Sequence, residues 1–254
     1  SLRRRLALDI TSKIYDHRVE EHQLRQLFWE CTLKCNLNCR HCGSDCKATA
    51  GQRDMPMEDF LKILDQVKTH TDPHHVFVVI TGGEPLMRDD LEECGREIFK
   101  REFAWGMVTN GLYLTRERFN ALLLSGLRTM TVSLDGEEAD HTWMRRNPES
   151  YKMVLNIEGF IFDVVTCVNR RNYSHLNEIK ELLISNGVKR WRVFTVFPVG
   201  RAANEPELQL TDDEFRGVFE FIKKTRKEGR IALSYGCEGF LGNYEGAVRD
   251  NFFF

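Results

Sequence analysis

The stretch Val76-Phe77-Val78-Val79-Ile80-Thr81-Gly82-Gly83-Glu84-Pro85 reads as a buried strand that opens into a glycine turn. Its first five residues are all apolar, which suits a strand with little contact with water. Two successive glycines let main-chain groups come close to a neighbour, and Pro85 fixes the exit of the turn. Taken alone, Gly-Gly-Glu-Pro is also an ordinary strand-to-helix turn with a solvated Glu84.

Outward from this stretch, apolar strands alternate with amphipathic helices. A leading helix falls at 2–16. Strands fall near 27–33, 76–81, 104–109, 128–134, 160–168 and 190–197, with helices near 56–69, 88–101, 115–125, 137–157 and 173–187 between them. Pro56 stands in a favourable early position of the first intervening helix. Phe60, Leu61, Leu64 and Val67 form its core face. Successive βα units with right-handed crossovers make an α/β fold, a partial (β/α)6 TIM-like barrel whose parallel sheet carries outer helices. A helix at 211–228 and a strand at 231–233 follow. We divide the chain into a lead-in at 1–26, the barrel core at 27–210 and a C-terminal extension at 211–254.

Upstream of the glycine turn, directly after the first strand, stands Cys35-Asn36-Leu37-Asn38-Cys39-Arg40-His41-Cys42, a C-x3-C-x2-C spacing. Three thiolates on one loop can each bind one iron of a four-iron cluster and leave the fourth iron open to a small molecule. Cys46 extends the run to C-x3-C-x2-C-x3-C, close to the bacterial ferredoxin pattern, although Lys47 stands where that pattern has proline. A closed cluster, a zinc site using Cys46, and unliganded thiols are the alternatives. Zinc sites usually pair distant C-x2-C knuckles, which this chain lacks. Cys31, Cys94 and Cys167 sit in element interiors and read as small buried hydrophobes.

The cysteine loop and glycine turn together resemble the radical S-adenosylmethionine (radical SAM) superfamily. So do three later strand ends: Thr109-Asn110-Gly111, Ser133-Leu134-Asp135-Gly136 and Pro198-Val199-Gly200-Arg201-Ala202. The last two look like those of the SPASM and twitch subgroup, whose members modify peptides, proteins or small metabolites. The resemblance implies a [4Fe-4S] cluster on Cys35, Cys39 and Cys42, with S-adenosylmethionine chelating the open iron. It implies reductive cleavage of that cofactor to a 5'-deoxyadenosyl radical that takes hydrogen from a substrate. Glu84 or the carbonyls of Gly82 and Gly83 then accept from the cofactor's ammonium group, and His41 lies beside its adenine. Ser133 and Asp135 serve its ribose or carboxylate, unless Ser-x-Asp-Gly is only a turn with helix-cap chemistry; Asn110 carries the same two readings. Arg145 meets the carboxylate as a guanidinium fork or lies on a solvated helix face. A peptide or protein substrate, a small molecule as the alternative, and an external electron donor such as a flavodoxin or ferredoxin complete the implied set.

The chain of 254 residues has formal net charge -2, which gives no reason to expect a nucleic-acid or anionic-membrane surface. No secretory apolar region or membrane span follows its cationic start. Eight cysteines then suggest a reducing compartment, the cytoplasm. Two features depart from the pattern. The helix unit between Tyr151 and Gly159 is short, and Asn251-Phe252-Phe253-Phe254 makes an apolar end, as expected of a fragment that stops before an auxiliary-cluster domain. Cys237 is then a ligand of such a cluster or an unpaired structural thiol.

Overall fold

The computed structural model describes residues 2–156, 163–237 and 241–249. The first residues of the strand expected at 160–168, the end of the short helix unit and Asn251-Phe252-Phe253-Phe254 lie outside the described residues.

A single parallel sheet runs β1 (Gln26–Thr32), β2 (Phe77–Gly82), β3 (Ala104–Thr109), β4 (Leu127–Ser133), β5 (Asp163–Val168), β6 (Arg190–Thr195) and β7 (Ala232–Tyr235), in chain order. The pattern of apolar segments gives six core strands. The sheet has seven, because the strand from the C-terminal extension hydrogen-bonds to β6, with Trp191 opposite Leu233. The helices are α1 (Leu2–Glu21), α2 (Met57–Lys68), α3 (Leu91–Lys100), α4 (Arg116–Leu124), α5 (Glu138–Arg145), α6 (Glu149–Leu155), α7 (Leu176–Ser185) and α8 (Asp212–Glu228).

The sheet curls round an interior cavity of about 1330 Å³, which touches Phe28, Val79, Val108, Thr131, Asp163, Arg192 and Ser234, one residue from each strand. The alternate residues of the same strands point outward under the helices. Val78, Ile80, Met130, Val132, Val164, Trp191 and Leu233 are all buried there. Each such side chain contributes roughly 1.5–3 kcal/mol by leaving water. The two largest keep their indole donors satisfied: Trp105 Nε1 donates to Ser125 O at 3.1 Å and Trp191 Nε1 to Thr166 Oγ1 at 2.9 Å.

Local sequence sets the helix ends. Thr211 and Glu214 form a reciprocal capping box at the start of α8, and Gly229 ends that helix with φ +68°. The single helix expected at 137–157 is instead two. Arg146 adopts a left-handed φ of +54°, and Asn147 and Pro148 follow. Proline disfavours helical geometry in the residue before it and has no N–H to donate within a helix, so the chain breaks here. Asn147 Oδ1 then accepts from the backbone N–H groups of Glu149 and Ser150, restarting the helix as α6.

Gly95 in α3 gives a test of this packing. A Cβ there would lie 2.3 Å from the Trp105 ring. Alanine should gain up to about 1 kcal/mol of helix propensity, yet overpacking costs about 1–3 kcal/mol. We therefore expect Gly95→Ala to lower the urea midpoint at unchanged slope; a raised midpoint would show that Trp105 has room to move.

Candidate metal centre

Everything at the site depends on how the connection from β1 to α2 is held, because that connection carries Cys35, Cys39, Cys42 and Cys46. At its start the glycine turn is stitched to the end of β1. Gly83 N–H donates to Thr32 O at 2.7 Å and Glu84 N–H to Lys34 O at 2.9 Å. A Cβ on Gly82 would stand 2.3 Å from Thr32 O, and one on Gly83 would stand 2.2 Å from Lys34 O. The two glycines are thus required by main-chain contact between neighbouring strand ends.

The far side of the loop is clamped from β6. Arg201 donates through Nε to Cys39 O at 2.7 Å and through Nη1 to Cys46 O at 3.0 Å and Asp45 Oδ1 at 2.7 Å. Its backbone N–H reaches Cys42 O at 3.0 Å. Gly200, with φ +57°, passes so close that a Cβ would stand 2.2 Å from Gly43 O. Arg40 ties the loop to α5: its backbone N–H donates to Met144 O at 2.9 Å, and its guanidinium lies 4.4 Å over the Trp143 ring.

These restraints place all four thiols on one cavity of about 240 Å³. His41, Gly82, Gly83, Glu84, Asn110, Ser133 and Arg145 line the same cavity, with Arg201. Residues just past or at the ends of β1, β2, β3, β4 and β6 therefore converge, as ligand sites do at the carboxyl edge of parallel sheets. Asp135 alone among the expected site residues is not on the wall. It stands behind Arg145, where Arg145 Nε donates to its Oδ2 at 2.7 Å and the Cys167 N–H donates to its Oδ1 at 2.9 Å.

Each buried charge has a distinct environment. Glu84 is 1% exposed and accepts from Thr109 Oγ1 at 2.7 Å, Asn110 N at 2.7 Å and Leu86 N at 3.1 Å. Burial raises its pKa, while those three donors pull the other way. The carboxylate thus spans the ends of β2 and β3. Asp135 is also 1% exposed. Burial pushes its pKa up, but Arg145, His41 and His141 outweigh burial and hold it at about 2. Arg145 is held fully charged by Asp135 in spite of its burial, and its Nη1 points at Cys39 Sγ, 3.7 Å away. His41 is pushed down to about 4 by burial and then by Arg145, so it is neutral, and its Nδ1 is buried without a hydrogen-bond partner among the described residues. His41, Asp135 and Cys167 bring ligand atoms within 4.8 Å of one another, but the Arg145 cation already occupies that carboxylate.

The thiols suit an iron-sulfur cluster. All eight cysteines of the chain are free. Burial pushes Cys35 up to about 12 and raises Cys39, so these sulfurs keep their protons until a metal replaces them. Donors already point at sulfur: Asn110 Nδ2 stands 3.9 Å from Cys35 Sγ, and Arg145 stands over Cys39. Such hydrogen bonds favour bound thiolate and tune a cluster's potential. Sequence reasoning missed the role of Arg201 as a clamp and of Thr109 as a partner of Glu84; both lie within motifs that it did single out, Pro198 to Ala202 and Thr109 to Gly111.

Asp135→Asn should leave the Arg145 cation buried without its counter-charge and cost about 3–5 kcal/mol in urea unfolding. Because the folded pKa is depressed, the native pair's contribution is complete above the ordinary value of 3.8 and is lost as pH falls through about 2. The variant should accordingly show a flatter stability curve across that window. An acid limb identical to that of the native chain would contradict the pairing.

Residues 29–183 match the model of the Radical SAM superfamily. The chain is 28% identical over 220 residues to an AdoMet-dependent heme synthase of Methanosarcina barkeri, covering 84% of this chain and 62% of that protein. It is 29% identical over 205 residues to the mycofactocin maturase MftC of Mycolicibacterium smegmatis, covering 77% and 51%. The chain thus spans less than two thirds of the length of these curated relatives. Its fold is similar to that of Streptococcus suis SuiB bound to S-adenosylmethionine, with a TM-score of 0.69 and 18% identity over 86% of this chain and 51% of that one. The matched segment contains the cysteine loop, the glycine turn, the end of β1 and all of β2 to β5, and on that ground the chain belongs to the radical SAM superfamily.

Proposed function

We propose that this chain is the core of a radical SAM enzyme in which Cys35, Cys39 and Cys42 hold a [4Fe-4S] cluster whose fourth iron takes S-adenosylmethionine. The observation that carries this reading is the convergence of the cysteine loop with Gly82, Gly83, Asn110, Ser133 and Arg145 on one cavity at the carboxyl edge of the sheet. When bound, the cluster supplies the electron that cleaves S-adenosylmethionine to methionine and a 5'-deoxyadenosyl radical, which takes a hydrogen atom from the substrate.

The chain's own residues prepare that site. Gly82 and Gly83 offer main-chain carbonyls to the cofactor's ammonium, since Glu84 is already bonded three times and serves to position the β2 and β3 ends. Arg145, oriented by Asp135, presents a fixed cation for a carboxylate. Ser133 offers a hydroxyl, Asn110 orients Asn36 at 2.8 Å, and neutral His41 provides a flat ring beside the thiols. An external one-electron donor such as a flavodoxin or ferredoxin, in a reducing cytoplasm, suits the free thiols. Among the described residues no helix is long and apolar enough to cross a membrane.

For the substrate we favour a peptide or protein side chain, supported by the similarity to the mycofactocin maturase and to a PqqA peptide cyclase of Bradyrhizobium diazoefficiens. A small molecule is the second reading, supported by the similarity to the heme synthase. Space for either lies inside the curl of the sheet, where Val108 lines both the thiol cavity and the larger interior one. In the division proposed here, 27–210 is the reacting core and 211–254 an extension whose strand β7 pairs with β6.

After anaerobic reconstitution and reduction, the protein should cleave S-adenosylmethionine to 5'-deoxyadenosine. Cys39→Ala should lose the cluster and all cleavage while its circular dichroism stays native. Deuterated candidate substrates then sort the two readings, since the true one passes its label into 5'-deoxyadenosine. Zinc in place of iron, or a reconstituted cluster that never cleaves the cofactor, would overturn the proposal.

A further inference from the structure

Resting on that reading, a fourth thiol stands where three are needed. Cys46 is 3% exposed, yet it lines the same cavity as Cys35, Cys39 and Cys42. Its thiol makes a long contact of 3.9 Å to Ser44 O and sits in a buried cluster with Cys35, Leu37 and Cys39. Asp45, just before it, is held at a positive φ of +48°, a strained conformation for a residue other than glycine. Arg201 fixes both neighbours of that bend, gripping the Asp45 carboxylate and the Cys46 carbonyl with one nitrogen while holding Cys39 with another. A thiol needed only as apolar filler requires none of this. The C-x3-C interval from Cys42 to Cys46 is also one that iron-sulfur loops span.

We propose that Cys46 is an exchangeable fourth ligand, bound to the open iron in the absence of S-adenosylmethionine and displaced when it arrives. In the resting form the Cys46 thiol loses its proton to solvent and an iron-sulfur bond forms, which shields the iron from water and oxidants. On cofactor binding that bond breaks, the ammonium of the methionine end gives up one proton to the released sulfur, and its amino nitrogen and the carboxylate oxygen bond to the iron in place of the thiolate. No electron moves in the exchange. Two donor atoms of one molecule replace a single thiolate, and the displaced sulfur returns to the buried cluster it shares with Cys35, Leu37 and Cys39.

The test uses this chain and its Cys46→Ala and Cys46→Ser variants, reconstituted alike, with circular dichroism to confirm folding and Ser as the closer mimic of shape. Electron paramagnetic resonance of the reduced cluster is recorded without and with S-adenosylmethionine, and cofactor affinity is measured by equilibrium dialysis. We expect the cofactor-free spectra of native and variant proteins to differ and the cofactor-bound spectra to coincide. Removing an internal competitor that leaves only a tenth of the sites open should tighten cofactor binding about tenfold. The visible absorbance of the cofactor-free variants should also bleach faster in air. Identical cofactor-free spectra with equal affinity, in proteins that still cleave the cofactor, would overturn the exchange and leave the enzyme reading standing. A native spectrum indifferent to the cofactor, with the cluster lost from both variants, would mean a permanent fourth ligand and overturn both.

Discussion

The contact on which the rest of the structure depends is the meeting of two strand ends at main-chain distance. Gly82 and Gly83 lie so close to Thr32 and Lys34 that no side chain fits between them. This contact fixes where β1 releases the chain and hence where Cys35 begins its loop. Van der Waals exclusion, and not hydrogen-bond strength, makes the position unique: a backbone hydrogen bond contributes only about 1 kcal/mol net, whereas an atom at 2.2 Å from a carbonyl oxygen cannot be accommodated without moving a strand.

From that anchor the site is built by charge placed out of water. Two buried carboxylates do different work because their partners differ. Glu84 meets only neutral donors and holds β2 to β3, whereas Asp135 meets a guanidinium and turns it toward the cavity. Arg145 is thereby kept beside a sulfur and within reach of any carboxylate that enters. A cation already neutralised by Asp135 adds orientation more than net attraction, which suits a site that must bind and release a zwitterionic cofactor. The loop's outer half is held by Arg201 through three carbonyl and carboxylate oxygens, so the thiols are positioned before metal arrives and ordering them costs less on loading.

Much of this was legible in the residues. Strand ends could be read because apolar runs stop abruptly at Gly82, Asn110 and Ser133, and the thiol spacing named its own chemistry. The break at Arg146 was less visible because the helical periodicity of Glu138 to Leu155 continues across it; only Pro148 signals the stop. The seventh strand was read as a strand, but its partner was not, since Ala232–Tyr235 is four residues long and carries no mark of which edge it joins. Asp135 looked like a ligand contact because Ser-x-Asp-Gly says nothing of a guanidinium ten residues on. Cys46 was legible as a possible fourth ligand, but Arg201 required three dimensions, because it acts across 162 residues of sequence on Cys39 O and also holds the Cys46 carbonyl.

The central claim is that one iron of the cluster takes a small molecule as its ligand. Mössbauer spectroscopy of ⁵⁷Fe-loaded protein, with and without S-adenosylmethionine, tests it most directly. The account predicts that one iron of the four shifts to a distinct, higher-coordinate signal when the cofactor is added while the other three keep theirs. Four equivalent irons that ignore the cofactor would contradict it.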